Sequence, residues 1–368
     1  MRIPYLDLKR QYSEVEAEIS ITLARVLGGG SYVLGREVEA FEAEWARFCG
    51  VRGAATLNSG TDALTLALLA SGAVRQGGSD EVITAPLSPG YTALAVIKAG
   101  GVPIFADIDP HRYTIDPEAI EKVITPRTRA ILPVHLYGQM ADMKAITQIA
   151  SRHGLVVIED AAQAHGASID GKRAGAHGQA AAFSFYPTKN LGAYGDSGAV
   201  TSDDLELIER VKILRQGGHL AGIQTKIAGC NSRLDEVQAA VLRVKLKHLL
   251  DWNRRRKDLA RVYDEAFNGS RIESPLVGDP EAHAFHLYVI QHPEREQLRK
   301  QLLVRGIETM IHYPFLLHQQ PLFRSKDKHA TLPVAERVVK KIISLPLYPQ
   351  LSLEEVQEVA NQILAFGN

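Results

Sequence analysis

Cysteine is almost missing from this chain. Its 368 residues include only Cys49 and Cys230, too few for a disulfide framework or a cysteine-built zinc site, and two unpaired thiols fit a reducing compartment. Net charge is missing as well. Lys and Arg number 42 and Asp and Glu number 42, so no whole-chain field gathers nucleic acid or anionic lipid. No run of about 18 apolar residues exists to span a bilayer. The opening Met1-Arg2-Ile3-Pro4-Tyr5-Leu6-Asp7 lacks a signal peptide's apolar stretch. The expectation is a cytoplasmic protein with neither a nucleic-acid nor a membrane partner. The histidines are scattered without a His-Glu-x-x-His spacing, His135 and His165 have no third ligand at a convincing distance, and no metal is expected. No repeat or low-complexity tract is evident.

What the chain does have is apolar material, 45% of its residues, enough for one large domain and a smaller one. From about residue 50 to 200, short apolar runs alternate with helix-like stretches, the pattern of strand-helix-strand units in a parallel sheet. The runs are Gly53 to Leu57, Glu81 to Ala85, Val102 to Ala106, Ala130 to Val134, Leu155 to Ile158, Ala180 to Phe185 and Ala199 to Thr201. Helices are predicted over Asp62 to Ala70, Tyr91 to Ala99, Pro117 to Val123 and Met143 to His153. A polar, glycine-rich stretch runs from Gly217 to Gly229. Beyond it, Ser232-x-x-Asp235 reads as a capping box, opening a long helix that continues towards Leu250. Arg254-Arg255-Arg256-Lys257 reads as a solvated helix face. Strand-like Phe285 to Ile290, helix-like Arg295 to Arg305 and a closing helix capped by Ser352-x-x-Glu355 make a smaller α+β unit. The expected division is a large domain over 1–245, including an N-terminal helical segment, and a small domain over 246–368.

Three segments carry chemistry. The strand Val156-Val157-Ile158 ends in Glu159-Asp160, and ligands of open α/β sheets sit beyond such carboxyl ends. An isolated strand-end Asp more often caps a turn, so its neighbours decide. Phe183-Ser184-Phe185-Tyr186-Pro187-Thr188-Lys189 presents a lysine between a buried strand and the turn Gly192 to Gly198. Lysines usually belong to the surface, but few charges flank this one, and a partly desolvated amine gives up its proton to attack a carbonyl carbon. Asn58-Ser59-Gly60-Thr61-Asp62 opens an apolar helix, whose free N–H groups make a phosphate seat. Carboxylate, amine and phosphate cradle together match pyridoxal 5'-phosphate (PLP), which needs a Schiff-base lysine, a pyridine-nitrogen partner and phosphate donors. An Asp about 4 Å from a pyridinium contributes roughly 4 kcal/mol at an effective dielectric near 20, enough to hold that proton at neutral pH.

Glu159-Asp160-Ala161-Ala162-Gln163-Ala164-His165-Gly166, Ser184 to Gly192, and Gly229-Cys230-Asn231-Ser232-Arg233-Leu234-Asp235-Glu236 resemble the DegT/StrS sugar aminotransferases. The likeness extends from Gly35 and Phe41-Glu42 through His135-Leu136-Tyr137-Gly138-Gln139 to Ser344-Leu345-Pro346-Leu347-Tyr348-Pro349. It implies a fold type I PLP transferase, with a mostly parallel sheet between helices and a smaller C-terminal α+β domain. It also implies a homodimer that moves an amino group from glutamate or glutamine to a nucleotide-linked keto-deoxysugar, with a lean towards 3-keto substrates. By motif, Lys189 would bind the cofactor aldehyde, Asp160 the pyridine nitrogen and Gln163 the phenolic oxygen. Gly60, Thr61 and Ser184 would hold the phosphate, with Asn231 reaching across from the partner chain. Where relatives place an aromatic ring over the pyridine, this chain has Pro89, with Tyr91 two positions on. Ser197 stands where many relatives have glycine. Tyr186, His312, Tyr313 and the loop residue Tyr32 are candidate substrate contacts, because polar aromatics stack on sugar rings and hydrogen-bond as well. An aminocyclitol ketone is the rival acceptor. A regulatory protein that kept the scaffold and lost turnover is the rival class.

Overall fold

The computed structural model describes residues 2–219, 225, 227–323 and 331–366; the Gly217 to Gly229 stretch lies partly outside them. The chain opens with helices α1 (Leu8–Gly29) and α2 (Arg36–Cys49). The sheet region follows as β1 (Gly53–Leu57), α3 (Gly60–Ala70), β2 (Glu81–Thr84), α4 (Gly90–Lys98), β3 (Val102–Phe105), α5 (Pro117–Glu121), β4 (Thr128–Leu132), α6 (Met143–His153) and β5 (Val156–Asp160). The short pair β6 (Ser168–Ile169) and β7 (Lys172–Arg173) precedes β8 (Ala180–Ser184), β9 (Gly198–Ser202) and α7 (Leu205–Leu214). Next come α8 (Glu236–Leu246), α9 (Leu249–Phe267), β10 (Tyr288–Gln291), α10 (Arg295–Val304), α11 (Pro333–Val338), β11 (Ile342–Leu345) and α12 (Leu353–Leu364).

Seven strands form one sheet in the order β1-β9-β8-β5-β4-β2-β3. All run parallel except β9, which is antiparallel to both neighbours. The apolar runs are continuous because both faces are covered. On β8, Ala181 and Phe183 join the core against α2 and α6, while Ala180 and Ala182 join the core against α3 and α7. A separate apolar core gathers Leu259, Tyr263 and Phe267 of α9 with β10, β11, α10 and α12. There Val356, Val359, Ala360 and Ile363 are buried at helical spacing, and Ser352 and Glu355 form the expected capping box.

Three expectations need correction. Ser232 caps nothing: α8 starts at Glu236, its N-cap Asp235 makes no side-chain bond, and Ser232 Oγ instead donates to Asn58 Oδ1 at 2.8 Å. The long helix is two helices, α8 and α9, broken at Lys247-His248. Arg256 leaves the solvated face, being 3% exposed. Its guanidinium donates to the carbonyls of Phe285, His286 and Leu347, and burial pushes its pKa down to about 10.

Candidate active site

Because β1, β5 and β8 are parallel, their carboxyl ends meet at one edge of the sheet. There Gly198 opens β9 opposite both Leu57 and Ser184. Backbones crowd at this edge. A Cβ on Gly60 would lie 2.7 Å from Ser184 Cβ, and one on Gly198 would lie 2.4 Å from the Ser59 carbonyl. Glycine at 60 thus lets the N-terminus of α3 approach β8 closely. Ser59 caps α3, its Oγ accepting from Asp62 N at 3.2 Å. The Gly60 and Thr61 amides, at the first two helical positions, have no acceptor within the helix. Ser184 packs against Gly60, and its Oγ accepts from Tyr186 N at 3.3 Å.

Asp160 ends β5 and is buried. Thr92 Oγ1 donates to its Oδ2 at 2.8 Å and Ala162 N donates to Oδ1 at 3.2 Å. Since the Thr92 proton points to the carboxylate, the 2.8 Å contact between Ser88 Oγ and Thr92 Oγ1 is a donation from Ser88. Burial raises the Asp160 pKa against the lowering effect of Thr92, Ala162 and nearby Lys189. A desolvated carboxylate of this kind is completed by a cation. Lys189 supplies one charge: half-buried, it has its pKa pushed down to about 8 by burial, with Asp160 pulling the other way. The residue before Asp160 is structural. Glu159 accepts from His135 Nε2 at 2.9 Å and from the amides of Gly175, His177 and Gly178. His135 Nδ1 accepts from Ala141 N at 3.2 Å, which leaves Nε2 as the nitrogen that donates to Glu159. Among the described residues no His, Cys, Asp and Glu cluster could hold a metal.

Gln163 is buried beside the carboxylate, its Oε1 accepting from Tyr137 N at 2.7 Å and its Nε2 donating to Tyr313 Oη at 3.1 Å. Tyr313 is therefore brought to the site, and burial raises its pKa, with Asp160 adding to the shift. His312 accompanies it. Burial and then the Lys189 charge push its imidazole down to about 4, its Nδ1 meets Ser344 Oγ at 2.9 Å, and its carbonyl accepts from the Tyr137 hydroxyl. Tyr186 is half-exposed at the start of the lysine loop, its carbonyl accepting from Lys189 N at 2.8 Å. Tyr32 and Asn231 are not joined to these groups. Tyr32 Oη donates to Leu27 O at 3.1 Å. Asn231 is exposed and backbone-paired to Gln216, one residue from the Ser232 that holds Asn58. Tyr91 is 66% exposed, whereas Pro89 is half-buried at the N-cap of α4, next to Ser88. Ser197 fits, buried, with its hydroxyl on the Asp196 carbonyl.

Asp160, Lys189 and the Gly60 and Thr61 amides thus stand at the carboxyl edge of one sheet. The model of the DegT/DnrJ/EryC1/StrS aminotransferase family matches residues 13–364. The chain belongs to this family. It is 45% identical over 366 residues to the Streptomyces venezuelae dTDP-3-amino-3,4,6-trideoxy-alpha-D-glucose transaminase, covering 98% of this chain and 95% of the relative. A pleiotropic regulatory protein of Geobacillus stearothermophilus is 44% identical across 100% of this chain and 99% of its own. The crystal structure of S. venezuelae DesV in complex with a ketimine intermediate superposes with a TM-score of 0.94 at 45% identity, covering 98% of this chain and 97% of that one. The family assignment makes the fold type I and the cofactor PLP. Thr92 and Ser88 escaped the sequence reading. Their one signal was a pair of hydroxyls four residues apart in an otherwise apolar segment.

Proposed function

We propose that this chain is a PLP-dependent aminotransferase that moves an amino group from glutamate or glutamine to the ketone of a nucleotide-linked deoxysugar, at the 3-position. One observation carries the chemistry: the buried Asp160 carboxyl and the depressed Lys189 amine feel each other's charge at the sheet edge where Gly60 packs against Ser184. These residues fit the cofactor. A side chain at position 60 would fill the cradle, and Asp160 is a buried carboxyl that accepts from Thr92 and Ala162, a group that a protonated ring nitrogen would complement. When bound, PLP supplies an electron sink that makes the carbon bearing the amino group acidic and stores the nitrogen between half-reactions.

The chain's own residues do the rest. Asp160, oriented by Thr92 and Ala162, holds the proton on the ring nitrogen. The Gly60 and Thr61 amides with the Ser184 hydroxyl bind the phosphate, and Gln163 Nε2 offers its second proton to the phenolic oxygen. Pro89, half-buried where Tyr91 is exposed, would be the residue to cover the ring face. Lys189 Nζ would be the group that takes the proton from the donor's α-carbon and gives it back in the transfer. A pKa of about 8 leaves a useful neutral fraction near neutral pH. His312, Tyr313, Tyr186 and Tyr32 are offered as substrate contacts. The S. venezuelae relative, named for a 3-amino sugar nucleotide, supports the 3-keto reading. We further infer a homodimer in which exposed Asn231 serves the partner's phosphate, and a cytoplasmic setting, which the two free cysteines support. Among the described residues no helix is long and apolar enough to cross a membrane.

The name of the G. stearothermophilus relative favours a second reading, regulation without turnover. Borohydride reduction with peptide mapping separates the two: a cofactor-labelled Lys189 peptide, with single-turnover conversion of a nucleotide 3-ketosugar, is expected. An unlabelled Lys189 would remove the enzyme reading, and turnover of inosose in place of the sugar would move the substrate to aminocyclitols.

A further inference from the structure

Lys245 lies on α8, apart from the groups above, and is 1% exposed. Burying an amine without a carboxylate is costly unless other acceptors replace water. Here they do. Nζ donates to the Gly192 carbonyl at 2.8 Å and to Gln11 Oε1 at 3.1 Å, and it lies 4.1 Å from the centroid of the Tyr194 ring. Gly192 and Tyr194 belong to the loop between β8 and β9 that presents Lys189, whereas Gln11 belongs to α1. Two turns earlier on the same side of α8, Gln238 Oε1 accepts from Tyr194 N at 2.8 Å. One helix therefore grips the far limb of the loop twice.

The grip reaches Lys189 through backbone contact. A Cβ on Gly192 would lie 2.4 Å from the Pro187 carbonyl oxygen and 2.9 Å from that of Tyr186, and Lys189 N donates to the same Tyr186 carbonyl. Displacing Gly192 thus displaces the turn on which the lysine stands. We propose that Lys245 is a positioning residue for transamination: by holding the Gly192 carbonyl from α8 it keeps Lys189 in its partly desolvated place beside Asp160. The inference rests on the reading of Lys189 as the reactive amine. It needs two N–H donors, which the amine has in either protonation state. The titratable groups facing it are Tyr194 and, 6.1 Å beyond that ring, Tyr12 of α1.

The test follows reductive methylation of Lys189 against pH by peptide mapping, in the full chain freed of cofactor. In Lys245→Met the midpoint is expected to rise by about one pH unit or more as the loop relaxes into solvent. In the holoenzyme kcat should fall about tenfold while both KM values stay within about twofold, because misorientation of the amine is a defect of the chemical step. Tyr194→Leu, on the half-exposed side of the clamp, should shift the midpoint the same way and by less. An unchanged midpoint in folded Lys245→Met overturns the proposal; should that variant fail to fold, an unchanged midpoint in Tyr194→Leu does so. Failure of the PLP reading is distinguishable, since it appears as absent borohydride labelling of the wild-type chain.

Discussion

In the proposed reaction Lys189 would work because of where its charge is unwelcome. Burial brings its amine to about 8 while Asp160 restrains the fall, so the proposed nucleophile and base would owe its neutral fraction to desolvation rather than to a neighbouring base. Lys189→Ala is expected to abolish transamination while leaving cofactor bound without a covalent link, as seen by single-turnover assay and a changed absorbance band. The Asp160 carboxylate depends on Thr92 in turn. Thr92→Val removes the hydroxyl but not the shape, and the loss of a hydrogen bond to a charged group, about 1.5–3 kcal/mol, should appear as weaker cofactor affinity and lower kcat/KM. Lys245 supplies a stability test. Its folded pKa is about 7 against about 10.5 unfolded, so between these values the unfolded chain holds a proton that the folded chain lacks. Its contribution therefore favours folding progressively more as pH rises through that window. Urea midpoints at pH 7, 8 and 9.5 should climb more in wild type than in Lys245→Met; equal slopes would refute the depressed amine.

At the scale of elements, two similar capping patterns have opposite fates. Ser352-x-x-Glu355 forms a reciprocal box at α12, reinforced by Arg10 on Glu355. Ser352→Ala should cost about 0.5–2 kcal/mol in urea unfolding with kcat unchanged. Ser232-x-x-Asp235 leaves α8 without a cap bond and links the segment bearing Asn231 to Asn58, ahead of the cradle. Ser232→Ala should therefore weaken cofactor affinity at least as visibly as stability; a pure stability loss would make it a cap after all. The helix that Ser232 precedes serves another helix: Glu236 accepts from the amides of Gly35, Glu37 and Val38, capping α2 from outside. Local spacing identifies a serine and an acid, but only a distant backbone says which helix end they satisfy.

At the scale of the whole molecule, the proposed dimer is open to a complementation test. With Asn231 acting across the interface, mixing Lys189→Ala with Asn231→Ala after dissociation should restore about one quarter of wild-type activity, since half of the dimers carry one intact site. No recovery beyond the parent Asn231→Ala would place that residue in its own chain's site or outside any. The architecture explains why so much of the site was legible. Strand ends follow directly from apolar runs, and parallel strands bring their ends together, so Asp160, Ser184, Lys189 and Gly60 could be gathered before any coordinates. Tyr32 and Asn231 stay outside the gathered group because their positions are set by loops, which apolar patterning does not govern.

The sequence by itself determined the α/β layering, the order along the chain of the strand ends, and which amine, carboxylate and helix N-terminus are the candidates for the proposed site. Each of these follows from local rules: periodicity, strand-end placement and glycine at a close approach. Tertiary structure alone decided that β9 runs backwards, that α8 and α9 break apart, that Arg256 is buried, and that Thr92 and Lys245 orient the reacting groups. Those features depend on partners tens to hundreds of residues away, and a hydrogen bond between distant residues has no signature in the spacing around either of them.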